Sequence, residues 1–284
     1  MNDPAQLRVL AQTLVAEAAA LVAARRAELF GGRELKPAHG LVHTKSSPTD
    51  PVTVIDTEAE HYIRDRLAVL RPADAVLGEE GGRSAEVGHL KPDTVTWVID
   101  PIDGTVNFLY GIESYAVSVA AQINGESVAG AVADVARGRI YAAALGVGAH
   151  VLENHLATDL RCSDAADLSL ALMGTGFGYS RRRRTAQAEL LAGVLPAVRD
   201  VRRIGSAALD LCMVAGGRLD AYYEHGTKIW DYAAAALIAA EAGAHVVLPD
   251  PDTDGGLVVA AAPRIAEALL GVLQRAGGLA PIPA

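Results

Sequence analysis

The feature that most limits the fold is a run from Ser114 onward in which apolar residues fall at every second position. Tyr115, Val117, Val119, Ala121 and Ile123 share one face, and the run ends at Asn124-Gly125, a two-residue hairpin signal. Such alternation suits a sheet strand and not a helix. Further hairpin strands are expected to about residue 155. Beyond Asp164 the pattern changes to strand-like 168–174, a helix after the Arg181–Arg184 run, and then alternating pieces: strand 201–204, helix 206–215, strand 219–224 and helix 232–242. Strands near 245–248 and 257–261 and a last helix follow.

Ahead of the alternating run, Asp3-Pro4-Ala5-Gln6 opens a long helix ending at Gly31-Gly32. A loop containing Lys45 to Pro51 leads to a second helix, capped by Thr53 with Asp56 at its third position and reaching about Leu70. A short strand at 75–77 meets Gly78-Glu79-Glu80-Gly81-Gly82, and Val95, Trp97 and Ile99 alternate along a strand that stops at Asp100-Pro101. The expected fold class is α+β with an α/β C-terminal half. Residues 1–160 and 161–284 form the two halves, and with no linker between them they are expected to pack tightly as one unit.

Composition narrows the function. Of the 284 residues 51% are apolar and 21% charged, which excludes disorder. The net charge of −9 argues against an ordinary basic nucleic-acid binder. The longest stretches without Asp, Glu, Lys or Arg are 13 residues, at 140–152 and 168–180, so no membrane helix is expected. Cys162 and Cys212 form no CxxC, and no export signal is legible, so a reducing cytoplasm is the expected compartment.

Three acidic segments carry chemistry. In Trp97-Val98-Ile99-Asp100-Pro101-Ile102-Asp103-Gly104-Thr105 a buried strand delivers two carboxylates to one turn, a set suited to a hard divalent cation with the Ile102 carbonyl alongside. Gly78-Glu79-Glu80 ends another strand, and Trp230-Asp231-Tyr232 begins an alanine-rich helix. Taken singly, these are equally a polar turn, a solvated acidic turn and an N-cap. Gathered together, they would be costly without cations to neutralise them.

The segment 97–110, Gly78-Glu79-Glu80, and 230–244, reading Trp-Asp-Tyr-Ala-Ala-Ala-Ala-Leu-Ile-Ala-Ala-Glu-Ala-Gly-Ala, resemble the inositol monophosphatase family over nearly the whole chain. The resemblance implies a layered αβαβα sandwich, shared with fructose-1,6-bisphosphatase, and a lithium-inhibited, Mg²⁺-dependent phosphomonoesterase that forms a homodimer. By motif it makes Glu79, Asp100, Asp103 and the Ile102 carbonyl ligands of two or three Mg²⁺, with Asp231 supporting a second ion. Thr105 and Asp56 resemble the pair that orients and deprotonates the attacking water, with Glu79 beside them. Asp103, Gly104, Thr105, Ala207, Glu224 and Asp231 match substrate positions, and Lys45 matches a loop near the site.

The implied substrate is inositol 1-phosphate, with fructose 1,6-bisphosphate and histidinol phosphate as alternatives on the same fold. A non-catalytic alternative is binding within RNA polymerase and ribosomal RNA transcription complexes, to which the Arg181–Arg184 run adds weak support, although a solvated helix entry or subunit contact explains that isolated run better. Neither cysteine lies in a motif, and among the histidines only His225 adjoins one, beside Glu224, so a cysteine or histidine phosphatase is not expected.

Overall fold

The computed structural model describes residues 2–30, 42–44, 51–83 and 93–284. Helix α1 spans Pro4–Phe30, started by Asp3, whose carboxylate accepts from the Ala5 N–H at 3.1 Å. Strands β1 (Val42–Thr44) and β2 (Pro51–Thr53) pair antiparallel where the sequence suggested loop. Helix α2 (Val54–Leu70) opens with the expected capping box: the Thr53 hydroxyl accepts from the Ile55 and Asp56 N–H groups, and Asp56 accepts from the Thr53 N–H at 2.9 Å. Strands β3 (Ala75–Gly78), β4 (Gly82–Arg83) and β5 (Val95–Asp103) follow, then the short helix α3 (Thr105–Tyr110).

The alternating region folds as β6 (Ala116–Ile123), β7 (Glu126–Asp134), β8 (Arg139–Ala144), β9 (Gly148–Glu153) and β10 (Leu156–Asp159). The second half runs β11 (Leu172–Thr175), α4 (Arg181–Val194), β12 (Asp200–Arg202), α5 (Ala207–Ala215), β13 (Ala221–His225), α6 (Ile229–Glu241), β14 (His245–Val247), β15 (Leu257–Ala261) and α7 (Pro263–Arg275). Two expectations need correction here. Only the end of 168–174 is strand, because the Asp167 side chain accepts from the Ser169 N–H and winds Leu168–Leu170 into a 3₁₀ turn. Helix α6 begins at Ile229 and not at 232, so Asp231 lies inside its first turn and reaches back to accept from the Lys228 N–H at 2.6 Å.

The strands form a large mixed sheet in the order β10-β9-β8-β7-β6-β5-β3-β4 and a smaller one in the order β12-β11-β13-β15-β14. Period two divides the large sheet cleanly. Trp97, Ile99, Val117, Val119 and Ala121 face α1 and α2, joined by Leu14, Val22, Ile55 and Ile63. Val98, Ala116, Ala120 and Val132 face α5 and α6 on the other side, where Tyr222, Val258 and Ala260 of the small sheet close the same core. Helices α4 and α7 cover the small sheet's far face. The layers therefore read helix, sheet, helix, sheet, helix, as the resemblance implied.

The alanines of α6 have a packing reason. A Cβ built on Gly130 of β7 would lie 2.8 Å from the Cα of Ala234, so helix and sheet approach at backbone distance and larger side chains would hold them apart. By length and composition α1 would pass for a membrane span, contrary to the sequence expectation. Its packing is that of a core helix, with Leu7, Ala11, Leu14, Val15, Ala18 and Val22 buried against the sheet.

Candidate active site

Strand β5 shows how one sequence solves a geometric problem. Residues three apart on a regular strand point to opposite faces, so Asp100 and Asp103 could not act together. The pairing of β5 with β6 shifts register between them, with Asp100 opposite Ser118 and Asp103 opposite Ala116. The extra residue around Pro101-Ile102 returns both carboxylates to one side. The strand thus continues through the proline to Asp103, where the sequence suggested that it stopped at Asp100-Pro101. Gly104 then turns the chain into α3 with φ of 95°, and a Cβ there would lie 3.0 Å from the carbonyls of Gly205 and Ser114.

Asp231 completes the group. Oxygens of Asp100, Asp103 and Asp231 all lie within 4.8 Å of one another. Asp103 sits at the start of α5, accepting from the Ser206 hydroxyl at 2.6 Å and the Ala208 N–H at 2.7 Å. Burial nevertheless raises it to about 6, against the lowering effect of those donors, of the Ala207 N–H and of the Arg203 charge. Asp231 is pushed well above the ordinary carboxylate range, by burial first and then by repulsion from Asp103 and Glu79. Glu79 lies just past β3, its N–H donating to the Ile99 carbonyl at 3.2 Å. It stands outside the three-acid group but near enough for its charge to act on both Asp231 and Asp56. Buried acids that repel one another, offering only oxygen donors, fit a hard divalent cation.

Beside the cluster, the Thr105 hydroxyl lies 3.2 Å from Asp56 Oδ1 and 3.0 Å from the Ile102 carbonyl, either of which can accept its proton. Asp56 Oδ2 accepts from the Thr53 hydroxyl at 2.5 Å. Burial raises Asp56 to about 7; the Thr53 donors lower it and the charges of Glu80 and Glu79 raise it further. Asp56 therefore caps α2 through Oδ2 and meets Thr105 through Oδ1.

On the small-sheet side of the site, Glu224, next to last in β13, accepts from the Tyr222 hydroxyl at 2.7 Å. Burial raises it to about 7, opposed by that hydroxyl and by Arg203. Asp210, one turn into α5, is pushed well above its ordinary range by burial and by the charges of Glu224 and Asp103, and its Oδ1 is buried without a hydrogen-bond partner. Gly176 exists for Glu224: a Cβ there would overlap the Glu224 carboxylate. Ala207 contributes its N–H to Asp103. Lys45 lies outside the described residues. His225 turns away, its Nε2 lying 2.9 Å from the Gly278 carbonyl.

Sequence reasoning missed Ser206, Asp210, Arg203 and Glu60. A Gly-Ser pair before an apolar helix was the available signal for Ser206. Asp210 and Glu60 carry no local sign of burial, yet the fold turns both inward, while Arg203 stays exposed and acts on the site through its charge. The arginine run is also divided: Arg181, Arg182 and Arg184 are exposed, while Arg183 is buried, donating to Asp254 at 2.7 Å and to the Ile282 carbonyl at 2.7 Å.

This arrangement has relatives. The model of the inositol monophosphatase family matches residues 3–277. The chain belongs to that family. It is 64% identical to the inositol-1-monophosphatase of Mycobacterium leprae, over 99% of this chain and 98% of that one. Among solved structures it resembles Mycobacterium tuberculosis SuhB, with 56% identity, a TM-score of 0.83 and coverage of 99% and 100% of the two chains. It is also 36% identical to the Nus factor SuhB of Pasteurella multocida, over 90% of this chain and 94% of that one. Membership in the inositol monophosphatase family makes the chain a phosphatase acting on phosphate monoesters.

Proposed function

We propose that the chain hydrolyses inositol 1-phosphate to inositol and phosphate, using Mg²⁺ held by Asp100, Asp103, Asp231, Glu79 and the Ile102 carbonyl. The observation that carries this reading is the bulge in β5 that brings Asp100 and Asp103 to one side, against Asp231. Bound Mg²⁺, two or three per site, would offset the repulsion between a phosphate dianion and its nucleophile and lower the pKa of water.

The chain's own groups supply the rest. Thr105 Oγ1 accepts a proton from the attacking water while passing its own to Asp56 Oδ1, and a carboxyl poised near 7 can take it at neutral pH. First-turn N–H groups of α3, with Gly104, have no carbonyl within the helix and would donate to the phosphate. Ala207 and Glu224 line the side that receives the alcohol, where a carboxylate suits ring hydroxyls. A homodimer in the cytoplasm is the working assembly, and the two free cysteines agree with a reducing compartment.

Purified protein assayed on inositol 1-phosphate, fructose 1,6-bisphosphate and histidinol phosphate should prefer the first, require Mg²⁺ and be inhibited by Li⁺. Full activity in excess EDTA, or a preference for either alternative, would overturn the reading. A second reading, partnership with RNA polymerase or nucleic acid, draws on the name of the Pasteurella relative and on the exposed Arg181, Arg182 and Arg184. Capture of RNA polymerase by both wild type and Asp100→Asn would establish it apart from catalysis.

A further inference from the structure

Helix α2 carries more than Asp56. Four residues on, and therefore on the same face, lies Glu60, with only 1% of its surface exposed. Its Oε1 accepts from Arg64 Nε at 2.7 Å and from the Gly81 N–H at 2.9 Å. Its Oε2 accepts from the Glu80 N–H at 2.8 Å. Arg64 in turn donates through Nη2 to the Gly82 carbonyl at 2.6 Å. One carboxylate and one guanidinium therefore hold the backbone of three consecutive residues, Glu80 to Gly82.

The same turn is anchored on its other side. The Glu79 N–H donates to the carbonyl of Ile99, the residue before Asp100. Glu79 is thus fixed between β5, which bears the two aspartates, and α2, which bears Asp56. The fit leaves no slack: a Cβ on Gly78 would lie within van der Waals overlap of the Glu60 carboxyl, and one on Gly81 would be 2.8 Å from Oε1. Glycine at 78 is required by the approach of a side chain and not by its backbone angles. Nor does Glu60 resemble a further metal ligand, because protein donors already occupy both of its oxygens and Arg64 offsets its charge.

We propose that Glu60, braced by Arg64, is a positioning residue that sets Glu79 in register with Asp100, Asp103 and Asp56. This rests on the reading of Glu79 as a metal ligand. Glutamine at 60 can present an oxygen to only one side of the former carboxylate; its NH₂ would face either the Glu80 N–H or the Arg64 and Gly81 donors. The turn would then hold Glu79 in more than one position.

The test is Mg²⁺ titration by calorimetry of four proteins: wild type, Glu60→Gln, Glu79→Gln and the double variant. Glu60→Gln should weaken Mg²⁺ binding by about 10- to 100-fold, the range for residues that orient metal ligands. Because Glu60 acts through Glu79, the double variant should bind Mg²⁺ no more weakly than Glu79→Gln alone, within about twofold. A merely structural role would instead lower the melting temperature of every form and add to the Glu79→Gln loss. Arg64→Lys keeps a cation while giving up the fork that reaches the Gly82 carbonyl, and carries the same cycle if Glu60→Gln does not fold. Wild-type Mg²⁺ affinity in Glu60→Gln, or additive losses in the double variant, would overturn the inference while the ligand reading stands. Wild-type affinity in Glu79→Gln would instead remove the ligand reading, and this inference with it.

Discussion

On the β5 side of the site, Asp103 is met by Ser206 and Ala208 and Asp56 by Thr53 and Thr105, while Asp100 accepts from the Ile102 N–H at 3.0 Å. On the β13 side the acids are left nearly bare. Glu224 has the Tyr222 hydroxyl, and the buried Oδ1 of Asp210 has no partner. Arg203 is the cation whose charge reaches Asp103, Asp210 and Glu224. The first wall is stiff: fixed carboxylates define cation positions before any cation arrives, which suits chemistry that tolerates little displacement. The second wall holds acceptors in reserve for the hydroxyls of a ligand. A polyol phosphate needs both, one for its phosphate and one for its alcohol.

The sharpest way to break this contrast is at Asp100. If the β5 wall exists to hold cations, Asp100→Asn should lower turnover on the order of 1000-fold while the metal-free protein melts at the same or a higher temperature, since neutralising one acid relieves the repulsion among them. Kinetics at saturating Mg²⁺ and calorimetric melting without metal check both halves. Gross unfolding would return the bulge to a structural role.

A smaller and more selective effect is expected across the site. Glu224→Gln should cost about 10- to 100-fold in kcat/KM for inositol 1-phosphate, the worth of roughly 1.5 to 3 kcal/mol of hydrogen bonding to a charged group. p-Nitrophenyl phosphate has no ring hydroxyls, so its hydrolysis and the Mg²⁺ dependence should hold. Equal losses on both esters would mean that the two walls are not distinct.

The walls also differ in how far the sequence reveals them. Asp100, Asp103 and Asp231 sit in unusual company, acids beside proline, glycine or tryptophan within apolar runs, and local pattern exposes them. The large sheet was legible for a similar reason, because period two is a local signal. Asp210 and Glu60 look ordinary. Glu60 lies four residues before Arg64, the spacing of a solvated helical ion pair, and only the turn of β3 folding over it makes it buried. The β5 bulge was hidden too: Asp-Pro reads as a strand end, whereas pairing with β6 on the far side carries the strand past it. The 3₁₀ turn at Leu168–Leu170 shows the limit at short range, where one Asp167 side chain outweighs an apolar run.

The remaining expected effect concerns pH, and it assigns part of the strain to each wall. Asp56 and Glu224 are raised to about 7 and Asp103 to about 6, from ordinary values of 3.8 for aspartate and 4.5 for glutamate. As pH rises from about 4.5 to 7, the unfolded chain has given up these protons while the folded chain still holds them. The folded state binds more protons throughout this window, so its stability falls with rising pH and levels off above about 7. Each such group contributes at most about 1.4 kcal/mol per pH unit. The metal-free protein should therefore melt at a higher temperature at pH 5.5 than at pH 7.5. Saturating Mg²⁺ should flatten or reverse the trend, because cations compete with protons for the same oxygens. Glu224→Gln should remove only the share of the metal-free slope that Glu224 contributes and leave the Mg²⁺ response in place. A metal-free melting temperature that climbs from pH 5.5 to 7.5 would show that these acids are not strained in the fold. A Glu224→Gln slope equal to that of wild type would show that Glu224 carries none of the strain.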